Sequence, residues 1–159
     1  MHIEILGSGP SLVLLHGWAL HGGVFAPLVQ RLSDRYTLHL VDLPGHGFSR
    51  DSEVPLTLDA TVTAILARTP PAAWLAWSLG GLFALHAAAS SSQVRGLAMI
   101  AATPRFVRDG DWPHAVERRV FAQFGDGQQH LFPRQFPIPL VRAPPGVHRA
   151  RHGHRKRAM

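Results

Sequence analysis

Ala76-Trp77-Ser78-Leu79-Gly80-Gly81 places a single hydroxyl where a short apolar stretch turns into a run of small residues. Residues 74–77 read as a buried strand, and residues 79–90 carry Leu82, Leu85 and His86 at helical spacing with Ala84, Ala87, Ala88 and Ala89 between them. A serine on a sharp strand-to-helix turn is lifted to the top of a sheet, where its oxygen is free to attack. Such a turn strains the backbone and presses strand against helix, so its neighbours must be small. Gly80 meets that need, whereas Ala76 stands where the usual G-x-S-x-G pattern has glycine and adds one methyl. A helix starting here aims free N–H groups and its positive dipole end at the serine, favouring negative charge. The competing reading is that Ser78 only caps the helix, since serine is a preferred N-cap residue.

Two further apolar runs end in turn chemistry. Residues 12–15 run into His16-Gly17-Trp18, and residues 38–41 run into Asp42-Leu43-Pro44-Gly45-His46-Gly47-Phe48-Ser49. An oxyanion hole needs two backbone N–H donors, one after the nucleophile and one from a loop on a neighbouring strand. Leu79 and Trp18 are the natural donors. Gly17 lets the second loop bend close to a substrate carbonyl, and Gly22-Gly23 keeps the following segment open. His16 reads mainly as a polar anchor of its turn, too early in the chain to be the proton-transferring base.

Four segments together resemble the α/β-hydrolase family, and more narrowly the pimeloyl-acyl carrier protein methyl ester esterases of biotin synthesis. They are Leu14-Leu15-His16-Gly17-Trp18-Ala19-Leu20, Val41-Asp42-Leu43-Pro44-Gly45-His46-Gly47-Phe48-Ser49, Trp77-Ser78-Leu79-Gly80-Gly81 and Ile100-Ala101-Ala102-Thr103-Pro104-Arg105-Phe106. The first three carry the superfamily; Trp18, Trp77 and the fourth carry the esterase. The resemblance implies an acylated nucleophile at Ser78 and an oxyanion hole of Trp18 and Leu79, with Trp18 also against the acyl chain. It implies an ester substrate, small or bound to an acyl carrier protein, and no cofactor or metal. A general short-chain esterase and a haloperoxidase-like hydrolase are the alternatives within the enzymes. A non-catalytic fragment with a basic tail is the alternative outside them.

A serine nucleophile needs a histidine and a carboxylate, which in this fold follow it in the order Ser, acid, His. Downstream of Ser78 the acids are Asp109, Asp111, Glu117 and Asp126, and the histidines beyond His86 of the expected helix are His114, His130, His148, His152 and His154. No strand pattern follows residues 94–101 to carry them. Asp109-Gly110-Asp111-Trp112-Pro113 resembles the family's entry into its helical cap, which makes the two acids loop or helix-start residues. His114 reads as solvated in the first cap turn, and Glu117 as a surface partner for Arg118 or Arg119. Those two arginines are candidates for greeting an acidic carrier protein. The expectation is a chain without its triad acid and base, and therefore inactive or impaired.

Charge is divided unevenly. Residues 1–125 hold nine arginines against nine acids, while residues 126–159 hold seven Lys or Arg against Asp126 alone, so the net +6 comes from the tail. The tail also holds five of the 13 prolines and four of the 11 histidines, with neither strand nor helix periodicity. One reading makes it a basic arm for nucleic acid or an acidic surface. The preferred reading makes it a non-native, frameshift-like or disordered ending, nucleic acid being no expected partner. His152-Gly153-His154 is too sparse for a metal site.

The expected architecture is the N-terminal part of an α/β-hydrolase fold, incomplete, with a mostly parallel sheet covered by helices on both faces. Strands are expected at 2–6, 12–15, 37–41, 74–77 and 94–100, and helices at 24–32, 58–68 and 79–90. The first two strands, five residues apart, read as an antiparallel hairpin at the sheet edge. Residues 1–125 form a partial core with the start of a cap, and 126–159 form the tail. At 46% apolar residues the chain can supply a core, yet its last strand should leave an open edge and a poorly soluble product. Zero cysteines exclude disulfides and suit a reducing compartment. No leader segment and no membrane-length apolar run is present, so a cytoplasmic protein is expected, its oligomeric state left open.

Overall fold

The structure, a computed structural model, describes residues 1–120 apart from Asp109 and Arg118. Expectations for those two positions and for the tail, with His130, His148, His152, His154 and Asp126, lie outside the described residues. Five strands form one sheet in the order β1-β3-β2-β4-β5: β1 (Ile3–Gly7), β2 (Ser11–Leu15), β3 (Thr37–Val41), β4 (Ala72–Trp77) and β5 (Val94–Ile100). All neighbours are parallel except β1 and β3. Three helices connect them: α1 (Ala26–Leu32), α2 (Leu58–Leu66) and α3 (Gly80–Ser90).

The expected β1–β2 hairpin is wrong. Strand β3 lies between the two, pairing antiparallel with β1 (Ile5 opposite His39) and parallel with β2 (Val13 opposite His39). Strands two apart are separated by roughly 9.5 Å, and Ser8-Gly9-Pro10 crosses that gap over the start of β3. Thr37 N–H donates to the Pro10 carbonyl at 3.0 Å and Thr37 Oγ1 to the Gly9 carbonyl at 2.8 Å. The crossing is tight: a Cβ on Gly7 (φ +83°) would lie 2.4 Å from the Ser33 and Tyr36 carbonyl oxygens. A short link rich in glycine resembles a hairpin turn in sequence, and only the pairing distinguishes the two.

Alternation along the central strands builds a core on each side. Val13, Leu15, Val41, Trp74 and Ala76 pack with Val62, Ile65, Phe83, Ala84 and Ala87 of α2 and α3. Leu14, Leu38 and Leu40 pack with Leu6, Phe25 and Val29 toward α1. A parallel sheet covered on both faces is the result.

Two element boundaries differ from expectation. The first helix is preceded by a 3-10 turn over Gly22–Phe25, with Pro27 in the opening turn of α1. Helix α2 stops at Leu66, where Arg68 N–H reaches the Ile65 carbonyl and Thr69 Oγ1 takes the same oxygen at 2.9 Å. Helix α3 buries Gly80, Gly81, Phe83, Ala84 and Ala87 and leaves Leu82, Leu85 and His86 half-buried. Small residues let α3 lie close to the sheet, and His86 turns outward to Asp59 at 2.8 Å.

Candidate active site

Ser78 follows the last residue of β4 and stands two residues before α3 begins. Its φ is +51°, a left-handed conformation that costs a non-glycine residue on the order of 1–3 kcal/mol and persists only where surroundings enforce it. They do so from both sides: Ser78 N–H donates to the Ile100 carbonyl at 3.0 Å, and Gly81 N–H donates to the Ser78 carbonyl at 2.9 Å. The helix N-cap is Leu79, and no side-chain cap bond is made there. Among the described residues nothing hydrogen-bonds the Ser78 hydroxyl, so a capping role for it is excluded.

Glycines let three pieces of backbone meet at this bend. A Cβ on Gly80 would lie 2.7 Å from the Leu15 carbonyl oxygen and 2.8 Å from that of His16, rigid atoms at the end of β2. One on Gly81 would lie 2.4 Å from Ala102 Cβ, and one on Gly17 would lie 3.2 Å from Ser78 Cβ. The loop after β2 therefore touches the serine turn directly. Ala76, two residues before Ser78, is fully buried among the residues facing α2 and α3, so its extra methyl fills core and does not crowd Ser78.

The loop carrying Trp18 is held through His16, which is fully buried. His16 Nε2 accepts the Leu43 N–H at 3.0 Å, so Nδ1 carries the proton and donates it to the Gly17 carbonyl at 2.7 Å. Burial pushes its pKa down from 6.5 to about 4, aided by His46 and His21 and opposed by the Gly17 bond and Asp42. Both ring nitrogens are thus engaged in a neutral imidazole, which leaves no lone pair for the proton of Ser78. The Trp18 ring is half exposed and meets His46 edge-on, with centroids 5.7 Å apart. The amides of Trp18 and Leu79 donate to no acceptor among the described residues, and Leu79 lies where a helix leaves its N–H groups free.

Beyond β5 the described acids pair with arginines. Asp111 contacts Arg105 at 2.6 Å, and Glu117 contacts Arg119 at 2.5 Å and Arg108 at 3.7 Å. The segment is a closed loop, with Val116 N–H on the Phe106 carbonyl and Arg108 N–H on that of Val116, and not a helix start at Asp111. His114 is exposed against Trp112. Two site residues escaped the reading of side-chain roles from sequence: Asp42, buried with both carboxylate oxygens engaged, and His46, whose ring contacts Trp18 and His16. An aspartate opening a Pro- and Gly-rich turn was the available signal.

A serine on a strained strand-to-helix bend, touched by a glycine loop from the next parallel strand, defines the class. Residues 10–137 match the family model of the alpha/beta hydrolase fold, and the chain belongs to that family. Over 125 residues it is 74% identical to the pimeloyl-[acyl-carrier protein] methyl ester esterase of Xanthomonas axonopodis pv. citri (strain 306), covering 79% of this chain and 49% of that protein. Identity to the protein of that name from Stenotrophomonas maltophilia (strain R551-3) is also 74%, covering 48% of it. Among solved structures, an esterase from Exiguobacterium antarcticum superposes with a TM-score of 0.69 at 27% identity, over 81% of this chain and 52% of its own. The chain spans about half the length of the curated relatives it matches.

Proposed function

We propose that this chain carries the nucleophile and oxyanion half of a serine carboxylesterase acting on the methyl ester of a pimeloyl group on an acyl carrier protein, a step of biotin synthesis. The Ser78 conformation at φ +51° is the observation that supports the chemistry; the 74% identity over 125 residues supports the substrate. Ser78 Oγ attacks the ester carbonyl, and the resulting oxyanion accepts the Trp18 and Leu79 N–H groups. Collapse expels methanol, whose oxygen must gain a proton, and water then releases the acid and frees Ser78.

Both proton transfers need a base that reaches Ser78, and among the described residues none does. Removing one triad member elsewhere costs several orders of magnitude, with a residue of catalysis left to the oxyanion hole. This chain is accordingly a weak esterase, its chemistry carried by residues 1–125, with the basic stretch 126–159 supplying neither nucleophile nor oxyanion donor. We place it in the cytoplasm, a reducing compartment compatible with zero cysteines. The test is hydrolysis of p-nitrophenyl butyrate and labelling by a fluorophosphonate probe, in the parent and in Ser78→Ala. Signal lost in the variant supports the reading; equal signal in both removes it.

A further inference from the structure

The loop from Gly17 to Gly22 is a six-residue bridge with Trp18 inside it, and both of its ends are tied to the end of β3. One end is the His16–Leu43 bond described above. The other is Asp42, 2% exposed, whose Oδ1 accepts the Gly22 N–H at 2.6 Å while Oδ2 accepts the Phe48 N–H at 2.8 Å. Two glycines close on this carboxylate. A Cβ on Gly47 (φ +50°) would lie 2.4 Å from Oδ2, and one on Gly22 would lie 3.2 Å from Oδ1. Ser49 Oγ donates to the Asp42 carbonyl at 2.7 Å and accepts the His2 N–H at 2.6 Å, which ties the Asp42 backbone to the turn and to the chain start.

We infer that Asp42 is a positioning residue for the oxyanion site: by clamping Gly22 and Phe48 with one carboxylate it fixes the far end of the Trp18 loop against Ser78. The inference rests on the esterase reading above for its kinetic consequence, though not for its structural one. A carboxylate suits the task because it offers acceptors on two oxygens and no donor. A bond from N–H to a charged acceptor is roughly twice as strong as a neutral one. An amide of the same shape presents NH₂ to one of the two N–H groups and must release it. The bridge itself is strained, Ala19 standing at φ +58°, and a strained segment relaxes when its anchor is lost. The small misplacement that follows is felt where a donor must meet developing charge, not in ground-state binding.

The experiment uses the full 159-residue chain with Asp42→Asn, and with Gly47→Ala, which displaces the same carboxylate without removing it. Asp51→Asn, an exposed acid outside the clamp, is the control. Amide hydrogen exchange over residues 17–23 should rise at least ten-fold in both clamp variants while β2, β4 and β5 keep parent protection. Ser78-dependent hydrolysis of p-nitrophenyl butyrate should lose about ten-fold in kcat with KM within two-fold. Unchanged exchange over 17–23 in a folded variant overturns the inference, as does raised exchange with unchanged kcat. Should Asp42→Asn fail to fold, Gly47→Ala decides by the same two readings. Should the parent show no Ser78-dependent hydrolysis, the esterase reading falls and the exchange measurement alone decides whether Asp42 clamps the loop.

Discussion

The His16 ring accepts the Leu43 N–H at 3.0 Å, joining the turn after β2 to the turn after β3 through a side chain with no solvent exposure. A lone pair spent on a backbone amide cannot take a proton from a serine. His16 therefore acts on loop shape, and its neutral form is part of the fold.

That bond makes stability depend on acid. With a folded pKa of about 4 against 6.5 when unfolded, the unfolded chain binds the extra proton between those values, so stability falls as pH drops from 6.5 toward 4. A gap of about 2.5 units corresponds to about 3 kcal/mol at most. His46, His21 and Asp42 are the titratable neighbours that modulate it. In an NMR titration the His16 ring shifts should stay flat from pH 8 to 5. A His16 midpoint near 6.5 would contradict the buried neutral ring.

Gly80 and Ala76 flank the serine at equal sequence distance, yet only a change at Gly80 should reach the nucleophile. Gly80→Ala drives a methyl into two fixed carbonyl oxygens. Denaturant midpoints should report a loss of about 1–3 kcal/mol, with Ser78 labelling falling at the same time. Ala76→Gly restores the common pattern yet empties a fully buried position in a strand. It should cost about 1–2 kcal/mol and leave labelling unchanged. Faster labelling in Ala76→Gly would mean that the alanine does strain the turn.

Most of the fold was legible because apolar runs of strand length alternate with helical spacing; β3 and β5 fall on the expected residues. The order of strands was not, since Ser8-Gly9-Pro10 has hairpin composition while its length also allows a crossing over β3. The helical spacing of Leu82, Leu85 and His86 did not name the buried side of α3, which helix-to-sheet distance assigns to Gly80, Gly81, Phe83, Ala84 and Ala87. At the site, the bend at Ser78 was readable from local chemistry. The Asp42 clamp was not, because its partners Gly22 and Phe48 lie 20 residues before it and six after, and only the fold joins them.

Strand β5 pairs with β4 on one side, and among the described residues no strand pairs with its other side. Leu97, Met99 and Ile100 are 36%, 41% and 48% exposed, and Arg95 is the only charge on the strand, so little discourages another chain from adding there. Leu97→Lys should lower self-association, seen as a smaller average mass in sedimentation at equal concentration, with the unfolding free energy changed by roughly 0.5 kcal/mol. An unaltered mass distribution would show that association uses another surface.

Ser78 stands ready in conformation yet receives no hydrogen bond from a base among the described residues, and this makes the missing proton acceptor replaceable from solution. Neutral imidazole is small, has a pKa near that of histidine, and can accept the Ser78 proton and then deliver it to the departing alcohol. Adding it should raise p-nitrophenyl butyrate hydrolysis in proportion to its neutral fraction, once the background measured with Ser78→Ala is subtracted. The gain should follow the free-base form as pH is raised through 7 and should vanish in Ser78→Ala. A Ser78-dependent rate that is already high and indifferent to imidazole would mean that a histidine outside the described residues, such as His130 or His148, already serves as base.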